Sequence, residues 1–347
     1  MGISDKDLKK IRKAIQEAAR PLFFFDDDPD GVSSFIQLYQ IKSEGKGVIV
    51  KAGSELKEEF ARKVDEYQPD LVVVLDIPIL SQEFIDRVSQ KIIWLDHHPI
   101  VDRKGIDYYN PRFENEEDNR PTSYWAHKIA KTNLWLATVG CVGDWFIPDF
   151  KDEYIAKYPD LLSESITNPD DALFETLTGK LAMVISFNLK GSVTDSMNSV
   201  KVLSRIQSPY EILNSTSPRG KFLLKKFDKF NTEYQDILSK VKITNSPLIK
   251  FIYPYQRNAY TSELSNELLH KFPDKFIIVG RENNGEHKMS LRSKHHKVLP
   301  ILTKALEKVN GKGGGHDYAC GAVVKSEEAD LFFKIIKEEL KKAKPDK

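Results

Sequence analysis

The chain contains two cysteines, Cys141 and Cys320, among its 347 residues. So few thiols exclude a disulfide-stapled fold, and without a Cys-x-x-Cys pair they exclude a zinc ribbon or finger. Both read as inert, buried thiols. No apolar run approaches the ~18 residues of a membrane span, and the first residues form no apolar signal segment. The sequence therefore reads as soluble and cytoplasmic, with no membrane partner. Charge of one sign is also missing, since 52 Lys and Arg face 51 Asp and Glu. No global field steers a polyanion, so any recognition of anions has to come from local clusters. Internal repeats are absent, and the length suits two domains of ordinary size.

What the sequence does have is apolar runs that end in acids and imidazoles. Leu22-Phe23-Phe24-Phe25 runs into Asp26-Asp27-Asp28-Pro29-Asp30-Gly31, and Leu71-Val72-Val73-Val74-Leu75 runs into Asp76. Ile92-Ile93-Trp94-Leu95 runs into Asp96-His97-His98-Pro99. Continuous apolar runs are what strands buried on both faces require. Between them lie helical patterns at Glu55–Tyr67 and Ser81–Gln90, and a further strand is expected over Gly47–Gly53. Alternating strands and helices predict a parallel, helix-covered sheet, whose ligand site lies beyond the carboxyl ends of its strands. A lone Asp-His-His cluster is commonly a surface turn; three runs delivering such groups to one sheet edge make a site. Mixed carboxylate and imidazole donors suit a manganese-like cation and phosphate chemistry. A fourth acid, Asp144, closes the apolar segment Leu134–Trp145. It either sits at that element's exposed end or needs a metal or cationic partner.

The remaining chain is read in order. Ser4 to Asp7 forms a capping box for a helix whose Leu8, Ile11, Ile15 and Ala18 share one face. Gly31 to Leu38 reads as a helix start with backbone donors open to phosphate. The acidic stretch Glu114–Asp118 reads as a solvated loop, and Thr122–Lys131 as a helix. Residues 151–245 look helical, with Leu223, Phe227, Phe230, Tyr234, Ile237 and Val241 at helical spacing. Lysines 221, 225, 226 and 229 occupy the other faces of that helix, either solvated or against a nucleic-acid backbone. From Pro247 a second α/β domain is expected: strand Leu248–Tyr253, helix Ser262–Phe272, then a hairpin around Asn283-Asn284-Gly285. A helix at Leu299–Val309, a strand near Ala319–Val324 and a helix at Glu327–Leu340 follow. Residues 281–312 hold eight Lys or Arg against three Glu, the most basic part of the chain. Within it, Arg292 offers a guanidinium suited to a bidentate phosphate clamp. The loop Gly313-Gly314-Gly315-His316 reads either as a flexible linker or as a backbone that approaches a ligand closely.

Taken together these motifs resemble the DHH phosphoesterase superfamily, in particular its RecJ-like and nanoRNase-like members, over nearly the whole chain. Asp26-x-Asp28-x-Asp30-Gly31 matches the first motif, Asp76 the second, Asp96-His97-His98 the third and Asp144 the fourth. Arg292 and Gly313 to His316 match the smaller C-terminal domain. The resemblance implies an α/β fold in which a parallel, helix-covered catalytic domain (residues 1–150) is joined by a helical connector (151–245) to a smaller C-terminal α/β domain (246–347). It implies two divalent ions, manganese preferred and magnesium the alternative, bridged by Asp76. Asp30, His97 and Asp144 would complete one ion's ligands, and Asp26 with Asp28 the other's. Asp96 would orient His97 or its neighbour, and His98 would face the scissile phosphate. Arg292, Gly313, Gly314, Gly315 and His316 would hold the substrate. One departure from the pattern stands at Asp26, where many relatives place a histidine.

The function the resemblance implies is an exonuclease acting on single-stranded DNA or RNA from an end. Its alternatives are hydrolysis of very short oligonucleotides, cyclic dinucleotides or adenosine bisphosphate, and a replication or repair scaffold. Manganese pyrophosphatase shares a similar first domain but is not expected to carry the glycine-histidine signature. Without an added oligonucleotide-binding domain, a processive grip on long strands would call for a replication or repair partner protein.

Overall fold

The computed structural model describes residues 2–51, 55–254 and 258–344. The chain divides into two compact units, Met1–Lys229 and Phe230–Lys347. The first is built on a five-stranded sheet of β1 (Pro21–Asp26), β2 (Lys46–Val50), β3 (Leu71–Leu75), β4 (Lys91–Leu95) and β5 (Asp107–Tyr109). Its order is β2-β1-β3-β4-β5, and every pairing is parallel. The strand order reverses between β1 and β3, the kind of switch point that opens a crevice at the carboxyl edge. Asp26 ends β1, while Asp76 and Asp96 directly follow β3 and β4.

Both faces of this sheet are covered. On one, Leu22, Phe24, Val72, Val74, Ile92 and Trp94 join a single buried cluster. On the other, Phe23 and Phe25 meet Phe35 of the helix Pro29–Tyr39, with ring centroids 5.5 and 4.4 Å apart. That helix packs in turn on the helices Thr122–Ala130 and Leu134–Gly143. Its start is set by Asp28, whose carboxylate accepts from the Gly31 N–H at 2.8 Å, and by Pro29 in the first turn. The helix thus begins earlier than Gly31, and the Gly31 donor is taken by the protein's own carboxylate. A side chain at Gly31 is excluded, because a Cβ there would lie 2.7 Å from the Asp26 carbonyl oxygen.

Two other expectations change in this unit. Glu55–Tyr67 is not one helix: Glu55–Leu56 pairs with Ile79–Leu80, and a 3-10 turn at Glu58–Phe60 leads into a helix at Ala61–Tyr67. The reason is tertiary, since Leu56 is fully buried opposite Leu80, distant in sequence, and the two segments form a small sheet of their own. The strand expected over Gly47–Gly53 is seen at Lys46–Val50, and residues 52–54 lie outside the described residues.

The unit boundary falls inside the helix Pro218–Ser239. Its stripe is core: Leu223, Phe227, Phe230, Tyr234 and Ile237 are all buried. In the first unit Phe227 stacks on Phe187. In the second, the Tyr234 hydroxyl donates to Glu267 and the Phe230 carbonyl accepts from Tyr260. Lys226 is neither solvated nor free for nucleic acid, because its ammonium donates to the Asn188 carbonyl at 2.7 Å and the Ser199 hydroxyl at 3.0 Å.

The second unit holds a sheet of β6 (Leu248–Tyr253), β7 (Phe276–Asn283), β8 (Glu286–Arg292), β9 (Gly311–His316) and β10 (Ala319–Lys325), in the order β9-β10-β8-β7-β6. Asn284 and Gly285 turn the β7–β8 hairpin with φ of 52° and 75°, as an Asn-Gly turn should. The helices Val298–Leu306 and Ala329–Lys342 bury one face in a common core with Phe276, Leu291 and Val324. The helix Thr261–Lys271 packs on β7 and β8. Gly313 to His316 are not a loop: they form the edge strand β9, in register with β10 from Gly311 opposite Val324 to His316 opposite Ala319. Glycine permits this close pairing, since a Cβ at Gly313 would sit 2.6 Å from the Gly321 carbonyl oxygen. Cys141 and Cys320 are free, buried thiols. Among the described residues no helix is long and apolar enough to cross a membrane.

Candidate metal centre

The carboxyl edge of the first sheet gathers seven potential ligands. Asp76 follows β3 with a φ of 59°, an uncommon conformation for a residue with a side chain. Its backbone N–H is held by the Leu95 carbonyl at 3.0 Å, and its carboxylate accepts from the Thr122 hydroxyl at 3.2 Å. His97 lies between two acids, with Nε2 3.5 Å from Asp76 Oδ1 and 3.4 Å from Asp144 Oδ2. Asp144 caps the helix Leu134–Gly143 and aims inward. Asp30, almost fully buried, accepts from the Thr122 and Ser123 N–H groups, each at 2.8 Å.

Three sets of donor atoms converge: Asp26 with Asp28 and Asp76, Asp76 with His97 and His98, and Asp30 with His97 and Asp144. Within each set the ligand atoms lie within 4.8 Å of one another. Asp76 belongs to two of the sets and His97 to two.

The acids of this cluster are held back from ionising by burial and by one another. Burial, and then the charge of Asp28, push the Asp26 carboxyl up to about 8. Burial and the charge of Asp30 raise Asp28 to about 6, against the opposing Gly31 N–H. Asp76 and Asp144 are raised well above the usual carboxylate range by burial and by neighbouring acids. Burial lowers the pKa of His97, which favours the neutral imidazole a metal ligand must be. Oxygen and imidazole donors in this ratio fit divalent manganese or magnesium, and crowded carboxylates are the usual companions of such ions.

This crowding has a measurable consequence. Groups raised above their unfolded values hold protons in the folded chain that the unfolded chain has lost. With Asp28 near 6 and Asp26 near 8, the chelated protein is expected to lose stability as pH rises from about 4 to about 8. A divalent ion bound by these acids would displace those protons, so the gain in Tm on adding manganese is expected to grow over the same window. A Tm that rises with pH in chelator, with a pH-independent metal effect, would rule out the carboxylate cluster as the source.

His98 differs from His97. Its Nδ1 meets Asp96 Oδ1 at 2.7 Å, and its backbone N–H donates to the other oxygen of the same carboxylate at 3.0 Å. Burial alone would lower its pKa, but the Asp96 hydrogen bond and charge outweigh it and the net shift is upward. Asp96 thus orients His98 rather than His97. Asn110 completes the support, donating to the His98 carbonyl at 2.9 Å and lying 3.4 Å from Asp96 Oδ2.

Residues 248–342 match the DHHA1 domain family. The whole chain is similar in structure to RecJ from Thermus thermophilus in complex with Mn2+, with 15% identity and a TM-score of 0.68. That alignment covers 99% of this chain and 56% of the other, so the chain spans little more than half the length of that RecJ. The chain thus carries a DHHA1 domain and shares the fold of RecJ. It is also similar to an exonuclease RecJ bound to manganese, at 14% identity and a TM-score of 0.62, over 98% of this chain and 95% of that one. The DHH domain of a protein described as a member of a family of ribosomal proteins aligns at 15% identity and a TM-score of 0.64, over 98% and 90%. No curated protein matches by sequence.

In the DHHA1 domain of this RecJ-like chain, Arg292 ends β8 with most of its donors already used. Nε donates to Asn266 Oδ1 at 2.9 Å, and NH1 to the carbonyls of Leu291 and Cys320 at 2.9 and 3.1 Å. Only NH2, 3.5 Å from the Ser262 hydroxyl, faces outward with capacity to spare. The two-pronged clamp suggested by the sequence is therefore reduced to one open nitrogen. Gly314 has nothing within 4 Å of where a Cβ would stand, whereas Gly315, with φ of 144°, would bring one to 2.4 Å from the Ala319 carbonyl oxygen. His316 is exposed at the end of β9.

Sequence reasoning missed Thr122, Ser123, Asn110 and Arg112. Arg112 Nε donates to the His97 carbonyl at 2.7 Å, which fixes the backbone of the turn that carries His97 and His98. Asn110-Pro111 after an apolar strand was a turn signal that could have drawn attention to this segment. Thr122 and Ser123 hold Asp30 through backbone N–H groups, which no side-chain pattern reveals; Thr122 adds its hydroxyl to Asp76.

Proposed function

We propose that this RecJ-like chain is a divalent-metal-dependent phosphodiesterase that removes nucleotides from an end of single-stranded DNA or RNA. One observation carries the reading: the Asp76 carboxylate is shared by the Asp26–Asp28 set and the His97–His98 set. That is the arrangement a bridging ligand between two ions requires. Asp26, Asp28 and Asp76 would hold one ion, and Asp30, His97, Asp144 and Asp76 the other. When bound, such a pair lowers the pKa of a water nucleophile and neutralises charge on the phosphate. Manganese and magnesium both suit the donors, and the Thermus thermophilus RecJ carries either ion.

The chain's own residues supply the remainder. His98, protonated more readily than a free imidazole and anchored through Nδ1 on Asp96, would present its other nitrogen to the phosphate. There it can donate to an oxygen that gains charge as the bond breaks. Arg292 NH2 and the β9 backbone would hold the terminal nucleotide.

The test is a metal-supplemented assay on labelled oligonucleotides of graded length. Stepwise shortening of long strands, strongest with manganese and absent in chelator, supports the exonuclease. Cleavage of only the shortest oligomers would make the chain a small-nucleotide hydrolase, and silence with bound metal would make it a scaffold. Arg292→Ala is expected to lower kcat/KM by roughly ten- to a hundred-fold, the loss of one charge-assisted hydrogen bond, with metal content unchanged. Wild-type kinetics in that variant would leave the DHHA1 domain without a substrate role.

A further inference from the structure

The first unit has a second concave surface, away from the metal centre. Lys46 starts β2 opposite Leu22, whereas the acids stand past the other end of the same strands. Four residues of strand separate Leu22 from Asp26, roughly 13 Å. At this amino-terminal end lies an open groove of about 1080 Å3.

Its lining is strongly one-signed. Lys46, Lys201, Arg205 and Arg219 face it, and among the described residues no carboxylate lines it. None of the four cations makes an ion pair among the described residues. Lys46 rests near the Tyr67 ring, 5.5 Å from its centroid, and Arg219 donates to the Arg205 carbonyl at 3.4 Å. The acids nearby are turned to other partners: Glu44 pairs with Lys42, and Glu211 accepts from the Gln207 N–H while it feels the charge of Arg219. For a chain with a net charge of only +1, four cations on one concave surface are a concentrated local excess.

The neutral part of the lining is equally informative. Tyr39 packs its half-buried ring against Phe35, centroids 5.6 Å apart, and forms a flat wall. The Asn133 amide donates to Gln40 Oε1 at 2.6 Å, and Gln40 donates to the Ser204 carbonyl at 3.3 Å, so the amides are held in fixed orientation. The Thr132 hydroxyl is buried beside them with no hydrogen-bond partner among the described residues. Leaving such a group unmatched is costly unless a ligand or water completes it.

We infer that this groove binds a stretch of single-stranded nucleic acid, its phosphates on Lys46, Lys201, Arg205 and Arg219 and a base against Tyr39. Unpaired cations beside an aromatic wall are the two elements that sequence-tolerant single-strand sites combine. An acidic peptide would use the cations but leave the aromatic wall and the oriented amides idle. The choice of nucleic acid among polyanions rests on the activity proposed for the metal centre; the groove itself does not.

The test uses the full chain in chelator, so that hydrolysis plays no part. A labelled single-stranded oligonucleotide of roughly a dozen bases is titrated by fluorescence anisotropy at several salt concentrations. The double variant K201A/R205A changes two exposed side chains and is expected to weaken binding about ten-fold at ~0.1 M salt. Its plot of log affinity against log salt is expected to be shallower by about 1.4, because two phosphate contacts are lost. Tyr39→Leu is expected to weaken binding with the slope unchanged. Unaltered affinity and slope in the double variant, or no binding by the wild type, would overturn the inference. So would polyglutamate displacing the oligonucleotide at equal charge concentration, which would identify an acidic protein segment as the occupant. Cleavage with manganese is scored separately: a chain that binds strands through these residues but cuts none would retain the groove and lose the exonuclease reading.

Discussion

Asp76→Ala is expected to abolish turnover and manganese binding. The carboxylate groups with Asp26 and Asp28 and also stands 3.5 Å from His97 Nε2, so in the proposed two-ion arrangement its removal would take a ligand from each ion. Loss of water activation and of charge neutralisation together should exceed a thousand-fold in kcat, since a single oxyanion-type contact alone is worth roughly 10²–10³. The substitution also removes an acid from a buried cluster of like charges, so the chelated variant is expected to be as stable as wild type or more so. Metal analysis, kinetics and a thermal melt therefore form a joint test. Substantial activity with two ions still bound would end the bridging assignment.

His98→Ala should behave in the opposite way on one axis and alike on the other. The imidazole is held by Asp96 through Nδ1, and its backbone is pinned by the same carboxylate and by Asn110. Truncation leaves that backbone support in place, so metal content is expected to survive. What is lost is a donor aimed at developing charge, a fall of about a hundred- to a thousand-fold in kcat with KM little changed. His97→Ala, by contrast, opens the space between Asp76 and Asp144 and should release metal. If His98→Ala loses the ion and His97→Ala keeps it, the roles are exchanged.

Much of this layout was legible in the residues, for physical reasons. Strands buried on both faces must be apolar throughout, so Phe23 to Phe25, Val72 to Val74 and Ile92 to Trp94 announced themselves, and the acids that ended them stood out. The stripe from Leu223 to Ile237 was equally plain, because a buried helical face has one period. What was not legible depended on partners distant in sequence. Leu56 joins a two-residue strand pair only because Leu80 lies opposite it. Lys226 looked solvated until the Asn188 carbonyl and Ser199 were placed around it. Arg292 promised a fork, and only the folded sheet shows Asn266, Leu291 and Cys320 claiming most of its donors. Gly313 to Gly315 read as a linker or a ligand-facing backbone, since nothing local reveals that β10 lies alongside, leaving no room for a side chain at Gly313 or Gly315.

Asp30 has a part beyond ligand supply. Both of its oxygens accept N–H groups from the opening turn of the helix Thr122–Ala130, a helix whose own Pro121 offers no side-chain cap. A residue 92 positions earlier therefore does the capping, and a prospective metal ligand is also a structural clasp. Filling the ion site would withdraw electron density from that clasp, while Thr122, through its hydroxyl on Asp76, senses the same event from the other side. Occupancy would therefore be felt at the opening turn of the Thr122–Ala130 helix. Amide exchange at Thr122 and Ser123 would report the loading state of the centre without any substrate present.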